Sequence, residues 1–249
     1  MRVAALYDVH GNLPALDAVL ADVEKVGADL IVFGGDIATG PFPHETLERV
    51  RSLGTRARAI RGNADRALLE LLRGSREPTE HPADDRWVLD QLTDEDAEFL
   101  AALAERETIE VPGLGGVLFC HATPRSDEAV FTALTPAERV REAFAGVRET
   151  VVVCGHTHMQ FDRRIDATRV VNAGSVGIPY GDEPGAYWAL LGPDVEHRRT
   201  AYDRERAAAA IAATGWPPGD EFARENVLTI PTAAQALEVF ERLASQETY

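Results

Sequence analysis

Val3-Ala4-Ala5-Leu6-Tyr7-Asp8-Val9-His10-Gly11-Asn12 sets a short apolar run directly against an acid, an imidazole, a glycine and an amide. An uninterrupted apolar run of this length reads as a strand. Beyond it, Leu13, Leu16, Val19, Leu20, Val23 and Val26 recur near helical spacing. The same pattern repeats downstream. Residues 30–34 lead into Gly35-Asp36, 57–61 into Gly62-Asn63, 117–120 into His121, and 151–154 into Gly155-His156-Thr157-His158. Each apolar run thus ends on side chains that bind metals or move protons. Parallel strands bring their C-terminal ends to one sheet edge, where open α/β folds place ligands. Residues distant in sequence are expected to converge there.

The rest of the chain fills in around these blocks. Pro43 suits the start of a helix over 44–53, and 66–72 reads as helical. Residues 76–107 are polar and helical, with Thr93-Asp94-Glu95-Asp96 resembling a helix start. This stretch is expected to be a helical cap inserted between strands. From 107 to 200 strands dominate, with one helix near 136–144. Residues 203–213 are alanine-rich and helical, 215–219 break that pattern, and 232–245 are amphipathic. The expected division is one domain over 1–202 and a helical C-terminal tail over 203–249 packed on it.

Composition narrows the function. A chain of 249 residues, 45% hydrophobic, can bury a substantial core. A formal net charge of −16 argues against nucleic acid polymers, whose phosphates call for clustered cations. No apolar run approaches the roughly 20 residues of a membrane helix. The strand-like start, with no signal-type segment, points to the cytoplasm. Cys120 and Cys154 each close an apolar run and read as small core residues rather than a disulfide. A homo-oligomer is left open.

Asp8, His10, Asp36, Asn63, His121, His156 and His158 form a mixed nitrogen and oxygen donor set. Such a set suits Mn, Fe, Zn, Co or Ni better than Ca. Seven donors exceed what one ion takes from a protein, whereas two divalent ions sharing a carboxylate would use them all. Two such ions, two carboxylates and a hydroxide carry a net charge of about +1, which attracts phosphate despite the acidic surface.

The blocks YDVHGNLPAL, FGGDIATGP, IRGNAD, FCHATP and CGHTHMQF, followed by VNAGSVGIP, resemble in that order the calcineurin-like metallophosphoesterase superfamily. The similarity is to its small bacterial and archaeal phosphodiesterase branch and covers roughly residues 1–191. It implies a four-layer α/β/β/α sandwich with a dinuclear metal site at the strand ends. It places Asp8, His10 and His158 on one ion and Asn63, His121 and His156 on the other, with Asp36 bridging. Hydrolysis of a small phosphoester by a hydroxide between the ions would follow. Arg125, shortly after His121, is a candidate for contact with a phosphate oxygen; a surface ion pair is its plainer reading. Asn12 either faces substrate or caps the following helix. His44 and His81 read as surface or cap residues.

One position departs from the pattern. Many members read Gly-Asn-His in the third block, and that histidine helps protonate the leaving oxygen; here Ala64 follows Asn63. A positioned general acid contributes typically about 10²–10⁴-fold, so its loss weighs most on poor leaving groups. The expected function is a metal-dependent phosphodiesterase acting on small phosphodiesters or nucleotides. The alternatives are a low-activity metal-binding scaffold of the same fold and a phosphomonoesterase.

Overall fold

The computed structural model describes residues 1–247 and Tyr249. β1 (Val3–Leu6) is wholly buried and pairs in parallel with β2 (Leu30–Phe33), which pairs in parallel with β3 (Ala57–Ala59). The crossover between the first two is α1 (Leu13–Val26), which begins on the Asn12 side chain and stops at Gly27 in the left-handed conformation. α2 (Pro43–Ser52) follows β2, and α3 (Asn63–Leu72) follows β3. Apolar spacing starts the latter helix at Arg66; it starts three residues earlier because Asp65 accepts from the Gly62 amide and anchors the first turn.

α4 (Pro82–Gln91) and α5 (Asp94–Ala102) come next, the second opened by a reciprocal Thr93–Asp96 capping box. β4 (Arg106–Val111) and β5 (Gly115–Cys120) form a hairpin. α6 (Ala137–Val140) runs into a 3-10 turn over Arg141–Phe144 and leads to β6 (Val151–Cys154). Then come β7 (Phe161–Ile165), β8 (Thr168–Asn172), β9 (Ala186–Leu191) and β10 (Val195–Thr200). The chain ends in α7 (Arg204–Ala212), α8 (Gly219–Phe222) and α9 (Ala233–Ala244). α8 has no counterpart in the sequence reading, because Pro217-Pro218-Gly219 reads as a break while Pro218 serves as the helix N-cap.

The strands form two five-stranded mixed sheets, ordered β10-β9-β1-β2-β3 and β4-β5-β6-β8-β7. Side chains alternate across a strand, so Val3, Ala5 and Tyr7 meet Val117, Phe119 and Val153 between the sheets. Ala4 and Leu6 point the other way, into a cluster with Leu16, Val19 and Leu47, which Val88 and Leu100 extend. On the far side, Leu118, Val152 and Val170 are covered by Val140, Ala143 and Phe144. The layering is α/β/β/α, the expected four-layer sandwich. Among the described residues no helix is long and apolar enough to cross a membrane.

Candidate metal centre

The segments after β1, β2, β3, β5 and β6 meet at one edge of the sandwich. Three of them adopt backbone geometry that L-residues rarely accept. Asp8, His10, Asp36, His156 and His158 have φ of 53°, 47°, 53°, 66° and 57°. Among the described residues, Asp166 is the one other non-glycine with positive φ. Such conformations cost of order 1–3 kcal/mol each and persist where surrounding structure dictates them. Here the Asp8 amide donates to Gly35 O, His10 N to Asp36 O, and Gly177 N to Asp8 O. Close approach also demands glycine: a side chain at Gly62 would strike Asp36 Oδ1, and one at Gly155 would come within 2.5 Å of Asp8 Oδ2.

The resulting cluster has two lobes. In the first, His10 Nε2 lies 3.3 Å from His158 Nε2, which lies 3.5 Å from Asp8 Oδ1. In the second, His121 Nε2 lies 2.9 Å from Asn63 Oδ1, and the His156 ring centroid is 5.2 Å from that of His121. Asp36 sits between them, its Oδ2 3.8 Å from His10 Nε2 and 3.4 Å from His121 Nε2. Two of these histidines have their second nitrogen occupied by backbone. His121 Nδ1 lies 2.9 Å from Gly34 O, and His156 Nε2 lies 3.0 Å from Glu128 O. Such bonds fix the tautomer and leave the opposite nitrogen as the donor.

The donor set fits divalent cations on an independent ground. Asp8 Oδ1 is buried and has no hydrogen-bond partner among the described residues. A buried carboxylate oxygen is costly unless paired or coordinated. The electrostatic surroundings agree for part of the set. Burial, then the neighbouring His121, pushes His156 down to about 4, so its imidazole is neutral. Burial opposes protonation of His121 too, but Asp36 and Asp8 outweigh it and push this histidine up to about 10. Asp36 is held well below the usual carboxylate range by His121 and His10, against the opposing effect of burial. A ligating imidazole must be neutral, so cation uptake at His121 would release a proton. The thiols stand apart: burial pushes Cys120 up to about 12 and Cys154 also upward, so neither offers a thiolate.

Neighbouring residues hold the ligand loops. Asp65 accepts from the amides of Asp36, Ile37 and Gly62 at 2.7, 2.9 and 3.0 Å. Burial and the Asp36 charge push it up to about 6, while the amides of Gly62 and Ile37 pull it down. Asn172 Nδ2 donates to Gly155 O, and Ser175 Oγ donates to Asp8 O. The VNAGSVGIP block therefore braces two ligand loops. Tyr180 stacks on His158 with ring centroids 5.2 Å apart, a contact the sequence signals only by its place just after that block. Asn12 caps α1 and donates to Gly177 O, with both halves of its amide bonded to protein. His44 pairs with Asp96 at 2.7 Å, and His81 is the exposed N-cap of α4.

Arg125 borders a cleft of about 370 Å³ that also includes Arg61, Arg66, Arg106 and His121. Its guanidinium is bound to Glu142 at 2.6 Å and to Ala145 O. It lines the approach to the cluster without joining it.

Residues 1–192 match the family model described as the calcineurin-like phosphoesterase superfamily domain. An uncharacterised protein of Methanocaldococcus jannaschii is 27% identical over 239 residues, spanning 86% of this chain and 93% of that protein. The phosphodiesterase YfcE of Escherichia coli is 25% identical over 199 residues, 76% of this chain and 87% of its own. Among solved structures, a metallophosphoesterase from Sphaerobacter thermophilus is 27% identical with a TM-score of 0.72, covering 92% of this chain and 98% of that one. The family match runs through β9 and takes in all five strand-end blocks. The chain belongs to the calcineurin-like phosphoesterase superfamily.

Proposed function

We propose that this protein hydrolyses small phosphodiesters with the help of two divalent ions drawn from Mn, Fe, Ni, Co or Zn. One observation carries the reading: the Asp36 carboxylate lies between two donor clusters, Asp8–His10–His158 and Asn63–His121–His156. Ions held there would acidify water toward neutral pH and polarise phosphoryl oxygens. The protein's part is to hold charge and geometry in advance. The Ala64 amide donates to Asp36 Oδ1 at 2.8 Å, aiming the opposite oxygen between the lobes. Asn63, at the start of α3, presents its amide oxygen toward His121. Arg125 can take part only by exchanging Glu142 for a phosphate oxygen.

Position 64 sets the substrate preference. A methyl group there can neither donate a proton to a departing alkoxide nor contact the phosphoryl group. Substrates whose leaving oxygen departs unaided are favoured, and diesters over demanding monoesters. The test is to strip the protein of metal and add Mn, Fe, Co or Ni in turn. Mn is expected to restore hydrolysis of bis(4-nitrophenyl) phosphate, and more strongly than that of 4-nitrophenyl phosphate. Inactivity with all four metals would leave a metal-binding scaffold; faster monoester hydrolysis would make it a phosphomonoesterase.

A further inference from the structure

We propose that a slot beside Ala64 binds a single heteroaromatic ring carried on one alcohol of the phosphodiester substrate, an inference that rests on the function proposed above. The slot encloses about 150 Å³ between Ala64, Ala67, Leu68 and Leu71 of α3, Val88 of α4, and Trp216 from the segment between α7 and α8. Ala64 links it to the metal cluster, since this residue follows Asn63 and its amide is bonded to Asp36. An imidazole at position 64 would project from the same wall. Alanine leaves that space to a ligand.

Size and polarity define what fits. Pockets for whole drug-sized ligands run to roughly 300–1,000 Å³, whereas an engineered apolar cavity of about 150 Å³ takes up benzene. The slot therefore suits one ring and not an entire nucleotide. Its walls are mostly apolar, but Thr39, Thr79, Arg76, Asp84 and Asp85 also border it. Thr39 Oγ1 and Trp216 Nε1 are buried without hydrogen-bond partners among the described residues. Seven side-chain atoms are in that condition; two belong to the ligand candidates Asp8 and His158, and two to this slot. An indole N–H only donates, and a hydroxyl donates or accepts. A plain phenyl group would satisfy the walls alone and a sugar the polar atoms alone. A heteroaromatic ring with acceptor atoms on its edge satisfies both. Trp216 is steadied by an edge-on contact with Phe222, ring centroids 5.4 Å apart, so the C-terminal segment takes part in choosing the substrate.

Two readouts test this. In the first, protein loaded with diamagnetic zinc is titrated with uridine while the Trp216 indole N–H resonance, assigned with Trp216→Phe, is followed. A saturable shift is expected that ribose does not produce, with affinity weakened at least about tenfold in Ala67→Phe, whose ring fills the slot. The second compares thymidine 5′-(4-nitrophenyl) phosphate with methyl 4-nitrophenyl phosphate, which share the scissile bond and the leaving group. A lower KM is expected for the thymidine ester. That preference should shrink about threefold to tenfold in Thr39→Val and in Trp216→Phe, as loss of one hydrogen bond does. An unmoved resonance with equal KM values for the two esters would overturn the slot and leave phosphodiester hydrolysis standing. A saturable uridine shift with neither ester hydrolysed under any metal would do the reverse.

Discussion

Asp96 and Asp36 are both buried carboxylates facing a histidine, and they are built in opposite ways. Asp96 accepts from Thr93 N and Oγ1, His44 Nδ1 and Arg51 Nη1, all within 2.8 Å. The Arg51 guanidinium offsets its charge, and the residues around it keep ordinary backbone angles. Around Asp36, five residues hold left-handed φ, and the neighbouring Asp8 keeps a buried oxygen without a donor. The first cluster is closed by its own chain. The second spends conformational energy to aim donors at a shared point. The stabilising carboxylate has both oxygens taken up by hydrogen bonds, whereas Asp36 accepts an amide on Oδ1 and turns Oδ2 toward His10 and His121.

The contrast can be broken most sharply by Asp36→Asn. Loss of one or both ions, read by elemental analysis, should accompany a fall in phosphodiesterase activity of more than about 10²-fold, the scale of losing one preorganised electrostatic partner. The variant should also lose the stabilisation that metal gives the native protein, about 2.7 kcal/mol at a free concentration 100 times Kd. Full metal content would show that the aimed donors are not ligands. Asp96→Ala tests the other side. It strands Arg51 and His44 and should cost about 2–3 kcal/mol in urea unfolding, below the 3–5 of a fully buried pair because both partners keep some solvent contact. Its metal content should not change; depletion would mean that the two clusters are coupled.

The smallest effect lies in pH. The hydrogen bond to Asp96 raises the His44 pKa. A raised native pKa gives stability that is complete below the unfolded value, about 6.5, and fades as pH rises through the native one. With 35% of the His44 side chain exposed, the contribution should stay under about 1 kcal/mol. His44→Gln should therefore be less stable than the native protein near pH 6 and equal to it near pH 9, measured by urea unfolding with metal content held constant. A gap that widens with pH would reverse the assignment.

Much of this was legible along the chain because strand ends are local. An apolar run followed by Asp-Val-His or Gly-His-Thr-His marks both the strand and the edge where it stops. Asp8, His10, Asp36, Asn63, His121, His156 and His158 could be picked out for that reason, and the structure brings them together. What escaped depended on distance through the chain. Nothing near His44 announces Asp96, 52 residues away. Tyr180 meets His158, and Trp216 meets α3, only after the sheets have closed. Asn12 fitted two roles in sequence, and its bond to Gly177 O decided for the cap. Arg125 had the right chemistry, but Glu142, 17 residues on, holds its guanidinium.

The residues alone thus determined the succession of strand–helix units and the identity of the ligand candidates, since apolar periodicity and side-chain chemistry act over a few residues. The four-layer arrangement was implied only by the family resemblance. Tertiary structure decided which oxygen of Asp8 stays unpaired, which loops bear left-handed strain, and what occupies the ground beside Ala64. Those outcomes depend on long-range packing, in which each loop is held in a conformation it would not adopt by itself.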